Sequence, residues 1–312
     1  MKLVRPPRPD RGVARPPRPD RGAARPRRPP ADNPAAAAGS TPADHRPRRN
    51  PPPRRRTGQP AAAERWIYGR HAVTAALANP ARGWRRLAAL AGHEAEARAL
   101  VAGARAVRRG GGAPLQVLDR DALAALLPEG AVHQGLALEV ESLAGRGLDD
   151  LLREAAALPG RCVIVLLDQV SDPHNLGAVL RSAAAFGALA VMLAEHGGAP
   201  VSGALAKAAS GALEHVPLVK VVNLARALER LKESGFWICG LDETAADQLA
   251  ALDLGERVAI VLGGEGGGMR RLVREHCDYL ARLPTLPAQP TLNVSNAAAI
   301  ALYELARSSS IG

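Results

Sequence analysis

From Cys162 onward the chain alternates short apolar runs with helix-forming segments, and this alternation most limits what it can fold into. Cys162 to Leu167 reads CVIVLL, with no polar residue on either side of the pleat. A strand of that kind belongs in a sheet covered on both faces. A helical segment follows from about Asn175 to Phe186, with Gly187 at its C-terminal end. Further strands are expected at Ala190–Leu193, Val216–Val221, Phe236–Leu241 and Val258–Leu262. Helices are expected at Ser202–Leu213, Leu224–Ser234 and Arg270–His276. The pattern predicts an α/β unit over 160–309, with a mainly parallel sheet between helices.

A smaller α/β unit precedes it at 65–142, and 143–159 reads as a linker. WIYGRHAVTAALAN has helix spacing and ends near Asn79-Pro80. Strands are expected at Arg86–Leu90, Leu115–Leu118 and Leu136–Val140, and helices at Glu94–Val107 and Asp121–Leu127. RRGGGA at 108–113 reads as a loop. His133 fits either a turn beside Gly135 or a contact to RNA.

Residues 1–62 are mostly Pro, Arg and Ala, and RPPRPDRG occurs at Arg5–Gly12 and again at Arg15–Gly22. Such a segment has too little apolar surface to offset its ordering entropy, so it is expected to be disordered with extended polyproline character. Charge is divided unevenly. Residues 1–60 hold 16 Lys plus Arg against 4 Asp, a net of +12, whereas the other 252 hold 25 basic and 26 acidic residues, a net of −1. A basic tail of this kind suits non-specific contact with RNA phosphates. Aromatic residues make up only 3%, too few for stacking platforms.

Other classes find little support. No apolar run reaches membrane-spanning length. Cys162, Cys239 and Cys277 are far apart, with no metal-ligand or disulfide spacing, which fits a reducing cytoplasm and no bound metal. GGEGGG at 263–268 lies between a strand and a helix, yet counting from Gly264 a dinucleotide fingerprint needs glycine where Met269 stands. These glycines instead let backbone turn tightly beside a ligand.

Two further stretches carry polar groups in suggestive places. Leu283–Gln289 reads as a loop broken by prolines, with Pro284, Pro287 and the following Pro290 each removing a backbone donor, so its amides and carbonyls are expected to be available to other partners. Asn293 or Ser295 then caps a final helix in which Val294, Ala298, Ala301 and Leu305 share a face. Upstream, Asn175 and Arg181 stand six residues apart in DPHNLGAVLRSAAAFG. Asn175 is either a helix cap or an orienting side chain.

Asn175, Gly177, Arg181, Phe186 and Gly187 in DPHNLGAVLRSAAAFG, Gly263, Glu265 and Gly268 in VLGGEGGGM, and Leu292–Ser295 in LNVSNAAAIALYE occur in this order. Together they resemble the three motifs of the SpoU/TrmH family of RNA ribose 2′-O-methyltransferases. The resemblance runs from about Val163 to Arg307. It implies S-adenosylmethionine as cofactor, bound bent against the backbone of Gly263, Leu283 and Leu292. It also implies a SPOUT-type fold whose C-terminal segment threads a loop as a trefoil knot, and a homodimer paired through helices beside the cofactor. Tyr68-Gly69, His71-Ala72-Val73 and His133-Gln134-Gly135 are similar to the N-terminal domain of the rRNA-modifying branch, which has an L7Ae/L30e-like RNA-binding fold. The two-domain layout points to a guanosine in the peptidyl-tRNA-binding loop of 23S rRNA. A tRNA ribose methyltransferase or a non-catalytic ribosome-assembly protein is the alternative.

Arg181 would anchor the adjacent phosphate and stabilise the developing oxyanion; the resemblance goes further and implies a base at this position, a role that does not suit a guanidinium, which holds its proton too strongly. Asn175 would orient Arg181 or the ribose. Glu265 would either bind Arg181 or cap the helix after Arg270, and Asn293 and Ser295 would supply donors and acceptors near the reacting groups. The chain departs from the family pattern at Thr285, Pro287 and Thr291, so the loop there is expected to differ in shape.

Overall fold

A computed structural model describes residues 65–107, 114–264 and 266–309. The tail at 1–62, the loop at 108–113 and Glu265 lie outside the described residues.

The first sheet is built from β1 (Trp66–Tyr68), β2 (Trp84–Leu90), β3 (Leu115–Leu118) and β4 (Leu136–Val140), in the order β1-β4-β2-β3. β4 runs antiparallel to both β1 and β2, while β2 and β3 are parallel. Helices α1 (Arg70–Ala78), α2 (Glu94–Val107) and α3 (Arg120–Ala125) join them. The helix expected to begin at Trp66 starts only at Arg70. The preceding Trp66–Tyr68 is buried at every position and pairs as a strand, and Gly69, at φ +91°, makes the corner between them.

The expected linker at 143–159 contains a helix, α4 (Leu148–Ala157), which the sequence analysis did not place. Its Leu151 and Ala155 are buried in one of the cores. Gly147 N donates to Asp150 Oδ2 at 3.1 Å and closes the first turn.

The second sheet holds β5 (Cys162–Asp168), β6 (Ala190–Ala194), β7 (Leu218–Val221), β8 (Trp237–Leu241), β9 (Asp247–Gln248), β10 (Arg257–Gly263) and β11 (Tyr279–Arg282). Their order is β7-β6-β5-β10-β8-β11-β9, and every neighbouring pair is parallel. The helices are α5 (Pro173–Ala185), α6 (Gly203–Ala208), α7 (Leu224–Glu233), α8 (Arg271–Glu275) and α9 (Val294–Ser309). Alternate residues of β5 feed two cores: Val163, Val165 and Leu167 face one, Cys162, Ile164 and Leu166 the other. That is the burial a continuous apolar strand requires.

The helix expected over Ser202–Leu213 is two pieces. Ser210 at φ +48° and Gly211 at φ +94° end α6 and turn the chain into a short 3-10 segment at Ala212–Glu214. Gly177 is required where α5 crosses α6, because a Cβ there would lie 2.5 Å from Ala208 Cβ.

The chain leaves β5 in one direction toward β6 and β7, and the other strands fill the opposite side. The reversal falls between β5 and β10, whose C-terminal residues Asp168 and Gly263 are paired. In open parallel sheets, ligands bind at such a switch point, outside the carboxyl ends of the strands.

Candidate active site

Asp168 ends β5 and is completely buried, an unusual place for a carboxylate. Its charge is met by Arg270. The backbone N of Arg270 donates to Oδ2 at 2.8 Å, and its Nε donates to Oδ1 at 2.8 Å. This clasp ties the end of the glycine-rich loop, which leaves β10, to the end of the neighbouring strand β5. Gly263 is needed there, since a Cβ would sit 2.0 Å from the backbone carbon of Gly268. Neither Asp168 nor Arg270 stood out in the sequence analysis, although an acidic residue closing a wholly apolar run was the available signal.

The next loop, after β5, carries α5. Asp172 caps it by accepting from His174 N at 2.9 Å, with Pro173 in the first turn. The capping role considered for Asn175 therefore belongs to Asp172. Asn175 instead meets the far end of the chain: Asn293 Nδ2 donates to Asn175 Oδ1 at 3.0 Å. At the start of α9, Asn293 Oδ1 accepts from Ser295 N at 2.9 Å and from Ser295 Oγ at 2.6 Å. Asn293, rather than Ser295, is thus the cap. Asn175, Asn293 and Ser295 form one chain of hydrogen bonds across two helix N-termini 118 residues apart.

Arg181 is elsewhere on α5. Six residues along a helix is a rise of about 9 Å and a rotation of about 240°, and among the described residues no hydrogen bond or ion pair engages the Arg181 side chain. It is exposed, on the rim of a cavity of about 730 Å³. A partner-free guanidinium keeps its whole fork of donors available for an anionic ligand.

The Pro-broken loop is as irregular as its prolines require. Between Leu283 and Leu292 the one backbone–backbone hydrogen bond among the described residues is Gln289 N to Leu286 O, at 3.0 Å. Pro287 occupies the second position of that β-turn, where a fixed φ is favourable. Thr285 Oγ1 donates to Pro290 O at 3.0 Å, bracing the loop across its width. Two of the three departures from the family pattern, Thr285 and Pro287, therefore have a local structural use. Leu283 packs against a core, whereas Leu292 is 38% exposed. The uncommitted amides and carbonyls of this loop suit a ligand with a heterocyclic edge, and they fit a nucleoside cofactor.

The cysteines take no part. Burial pushes the Cys239 and Cys277 thiols up to about 12, so neither is a thiolate at neutral pH. Among the described residues, no group of three or more His, Cys, Asp or Glu could hold a metal ion. No described helix is long and apolar enough to cross a membrane.

The chain is similar in sequence and in fold to known RNA methyltransferases. Residues 162–303 match the model of the SpoU rRNA Methylase family, and residues 66–144 match the model for RNA 2′-O ribose methyltransferase substrate binding. The chain is 45% identical over 178 residues to the 23S rRNA (guanosine-2′-O-)-methyltransferase RlmB of Xylella fastidiosa, covering 57% of this chain and 72% of that protein. It is also 45% identical over 177 residues to an uncharacterized tRNA/rRNA methyltransferase of Synechocystis, covering 57% of this chain and 46% of that longer protein. Among solved structures, the SpoU methyltransferase AviRb from Streptomyces viridochromogenes, in complex with AdoMet, superposes with a TM-score of 0.65 at 25% identity, over 80% of this chain and 92% of that one. With both family models in sequence and the shared parallel sheet beneath them, the chain belongs to the SpoU rRNA Methylase family.

Proposed function

We propose that this protein methylates the 2′-hydroxyl of a guanosine ribose in 23S rRNA, in the peptidyl-tRNA-binding loop. In this reading 65–142 presents the RNA, 143–159 connects the two units, 160–309 carries out the transfer in the cytoplasm, and the basic tail at 1–62 tethers RNA. The observation that carries the reading is the hydrogen-bonded joint between Asn175 and Asn293, set beside the switch point that Gly263 and Asp168 define.

S-adenosylmethionine is the cofactor, and when bound it supplies an electrophilic methyl group. The backbone of Gly263, Leu283 and Leu292 would hold it. Asn175, Asn293 and Ser295 offer amide and hydroxyl groups that orient the ribose, each already fixed by its neighbour and so needing little reorganisation. Arg181 presents its fork to a phosphate and to the oxygen that gains negative charge as the 2′-hydroxyl loses its proton. Glu265, between glycines, would bind Arg181 or cap the helix after Arg270.

Two features of the whole enzyme belong to the same proposal. The 283–293 segment passes through the loop after β10 as a trefoil knot, which would hold that irregular backbone in a single shape. A homodimer forms on the outer face of α9, where Asn296, Ile300, Tyr303 and Arg307 are exposed in one stripe and Tyr303 meets Phe186 edge-on at 6.0 Å.

The test is methyl transfer from labelled S-adenosylmethionine to a 23S rRNA fragment and to the same fragment with 2′-deoxyguanosine at the target. The reading expects label in the first and none in the second. Equal labelling of both would place the reaction on a base and end the proposal.

A further inference from the structure

The cavity on whose rim Arg181 stands lies between the two sheets' units rather than inside one of them. Its walls include His71 and Ala75 from α1, Arg181, Ser182 and Phe186 from α5 and its end, and His215 after the 3-10 segment. Its volume, about 730 Å³, falls within the usual span for pockets that take a small molecule. His71, Arg181 and His215 are exposed, and among the described residues their side chains have no hydrogen-bond or ion-pair partner. Most of the remaining lining is alanine, with Phe186 at one side, which gives a smooth apolar surface beneath a rim of nitrogen donors.

The two walls are held at a fixed separation. Arg82 and Glu214 form an ion pair with side chains only 5% and 2% exposed, at 2.6 Å. Asn79 Nδ2 also donates to Glu214 Oε2 at 2.8 Å, and Arg82 Nη1 donates to Glu141 O at 3.0 Å. Asn79 directly follows the helix that carries His71, and Glu214 directly precedes His215. The buried pair therefore fastens one wall to the other at the cavity's edge. Such a pair costs desolvation and adds little net stability, but it specifies geometry. Ser210, also in the lining, is held at φ +48°, a conformation that non-glycine residues seldom adopt and that clusters at ligand sites.

We infer that this cavity is a subsite for the RNA nucleotide next to the methylated one, with its phosphate held by His71 and His215 beside Arg181 and its base on the alanine floor. The inference rests on the proposed RNA 2′-O-methyltransferase reading and adds to it a contact to the nucleotide on one side of the reacting ribose. An anion fits the rim, because three nitrogen-bearing side chains line it and, among the described residues, no carboxylate does. A nucleotide fits better than a free phosphate, because the floor is apolar and sits within a few residues of Arg181 on the same helix. The Arg82–Glu214 pair then sets the distance between the RNA-presenting unit and the catalytic one.

The experiment crosses a protein change with a substrate change. The full-length chain and its H71A/H215A variant are assayed on an rRNA fragment with natural linkages, and on fragments with a neutral methylphosphonate 5′ or 3′ of the target nucleotide. Loss of a hydrogen bond to a charged group costs about tenfold in affinity. Wild type should lose about that much in KM on one methylphosphonate fragment. The variant should show a similar loss on the natural fragment and no further loss on that methylphosphonate one. H71Q/H215Q, which preserves bulk, should behave likewise, and S-adenosylmethionine binding by calorimetry should be unchanged in both variants. A natural KM in the variants, or losses that simply add on both modified fragments, would overturn the inference. A wild-type chain that transfers no methyl group to any fragment would instead overturn the reading on which it rests.

Discussion

At the scale of single residues, the chemistry rests on a few side chains that can be removed one at a time. Arg181→Ala should lower the transfer rate by roughly 10²–10³ and leave S-adenosylmethionine affinity unchanged, because the loss is one stabilising donor group away from the cofactor loop. Arg181→Lys should also be poor, since a point charge does not reproduce a planar fork. Single-turnover rates and calorimetry on the same preparations separate the two effects, and full activity in either variant would remove Arg181 from its role. Asp168→Ala acts differently. It strips the partner from the Arg270 backbone N–H and should destabilise the fold by about 1–3 kcal/mol, measurable in urea. Arg270 is half exposed, so water moderates the loss of the ionic part.

Two histidines respond to pH in opposite senses. The hydrogen bond that protonated His276 donates to Glu229, then the one it donates to the Leu272 carbonyl, raises its pKa. A raised group lends stability that is complete below the unfolded value of about 6.5 and is lost as pH climbs through the folded value. For His133 burial comes first, followed by the positive charges of Arg120, Lys207 and His93, and the pKa is lowered. The folded form then binds fewer protons, so stability grows as pH rises from the folded value toward about 6.5. Ring-proton NMR titration should place His276 above and His133 below that reference. The reverse order would contradict the contacts given for either residue.

Among the elements, legibility followed burial. β5 announced itself because both of its faces are covered, and α2, β3 and β4 lie where the sequence put them. β9, two residues long, and β11, four, are too short to show a period, and both are specified by pairing at the sheet edge. α4 was missed because its Ala- and charge-rich sequence gains a face only by packing Leu151 and Ala155 onto the sheet. The break at Ser210-Gly211 depends on contact with the other unit: a Cβ at Gly211 would lie 2.6 Å from Ala75 Cβ. The candidate site was legible as three motifs but not as an arrangement. Proximity of Asn175 to Asn293 is a tertiary fact, whereas the separation of Arg181 from Asn175 follows from their spacing along one helix. The α9 stripe yields a prediction at this scale: Tyr303→Lys, which puts a charge at its centre, should shift the protein from dimer to monomer by light scattering. A wild-type monomer at micromolar concentration would count against the dimer.

For the molecule as a whole, the division of charge is the dominant property. With +12 in residues 1–60 and −1 in the other 252, deleting residues 1–62 should weaken rRNA binding and flatten its dependence on salt, since fewer counterions are released. Phosphate contacts of this sort position RNA without reading it, so the methylated nucleotide should not change. An unchanged salt slope would make the tail a bystander. The central claim, that the folded part transfers a methyl group to a ribose oxygen, is tested most directly by nucleoside mass spectrometry. Unmodified 23S rRNA would be incubated with this protein and S-adenosylmethionine, digested, and its methylated nucleosides identified. The account predicts 2′-O-methylguanosine, mapped to a single position in the peptidyl-tRNA-binding loop, whereas a base-methylated nucleoside, or no methylated nucleoside at all, would contradict it.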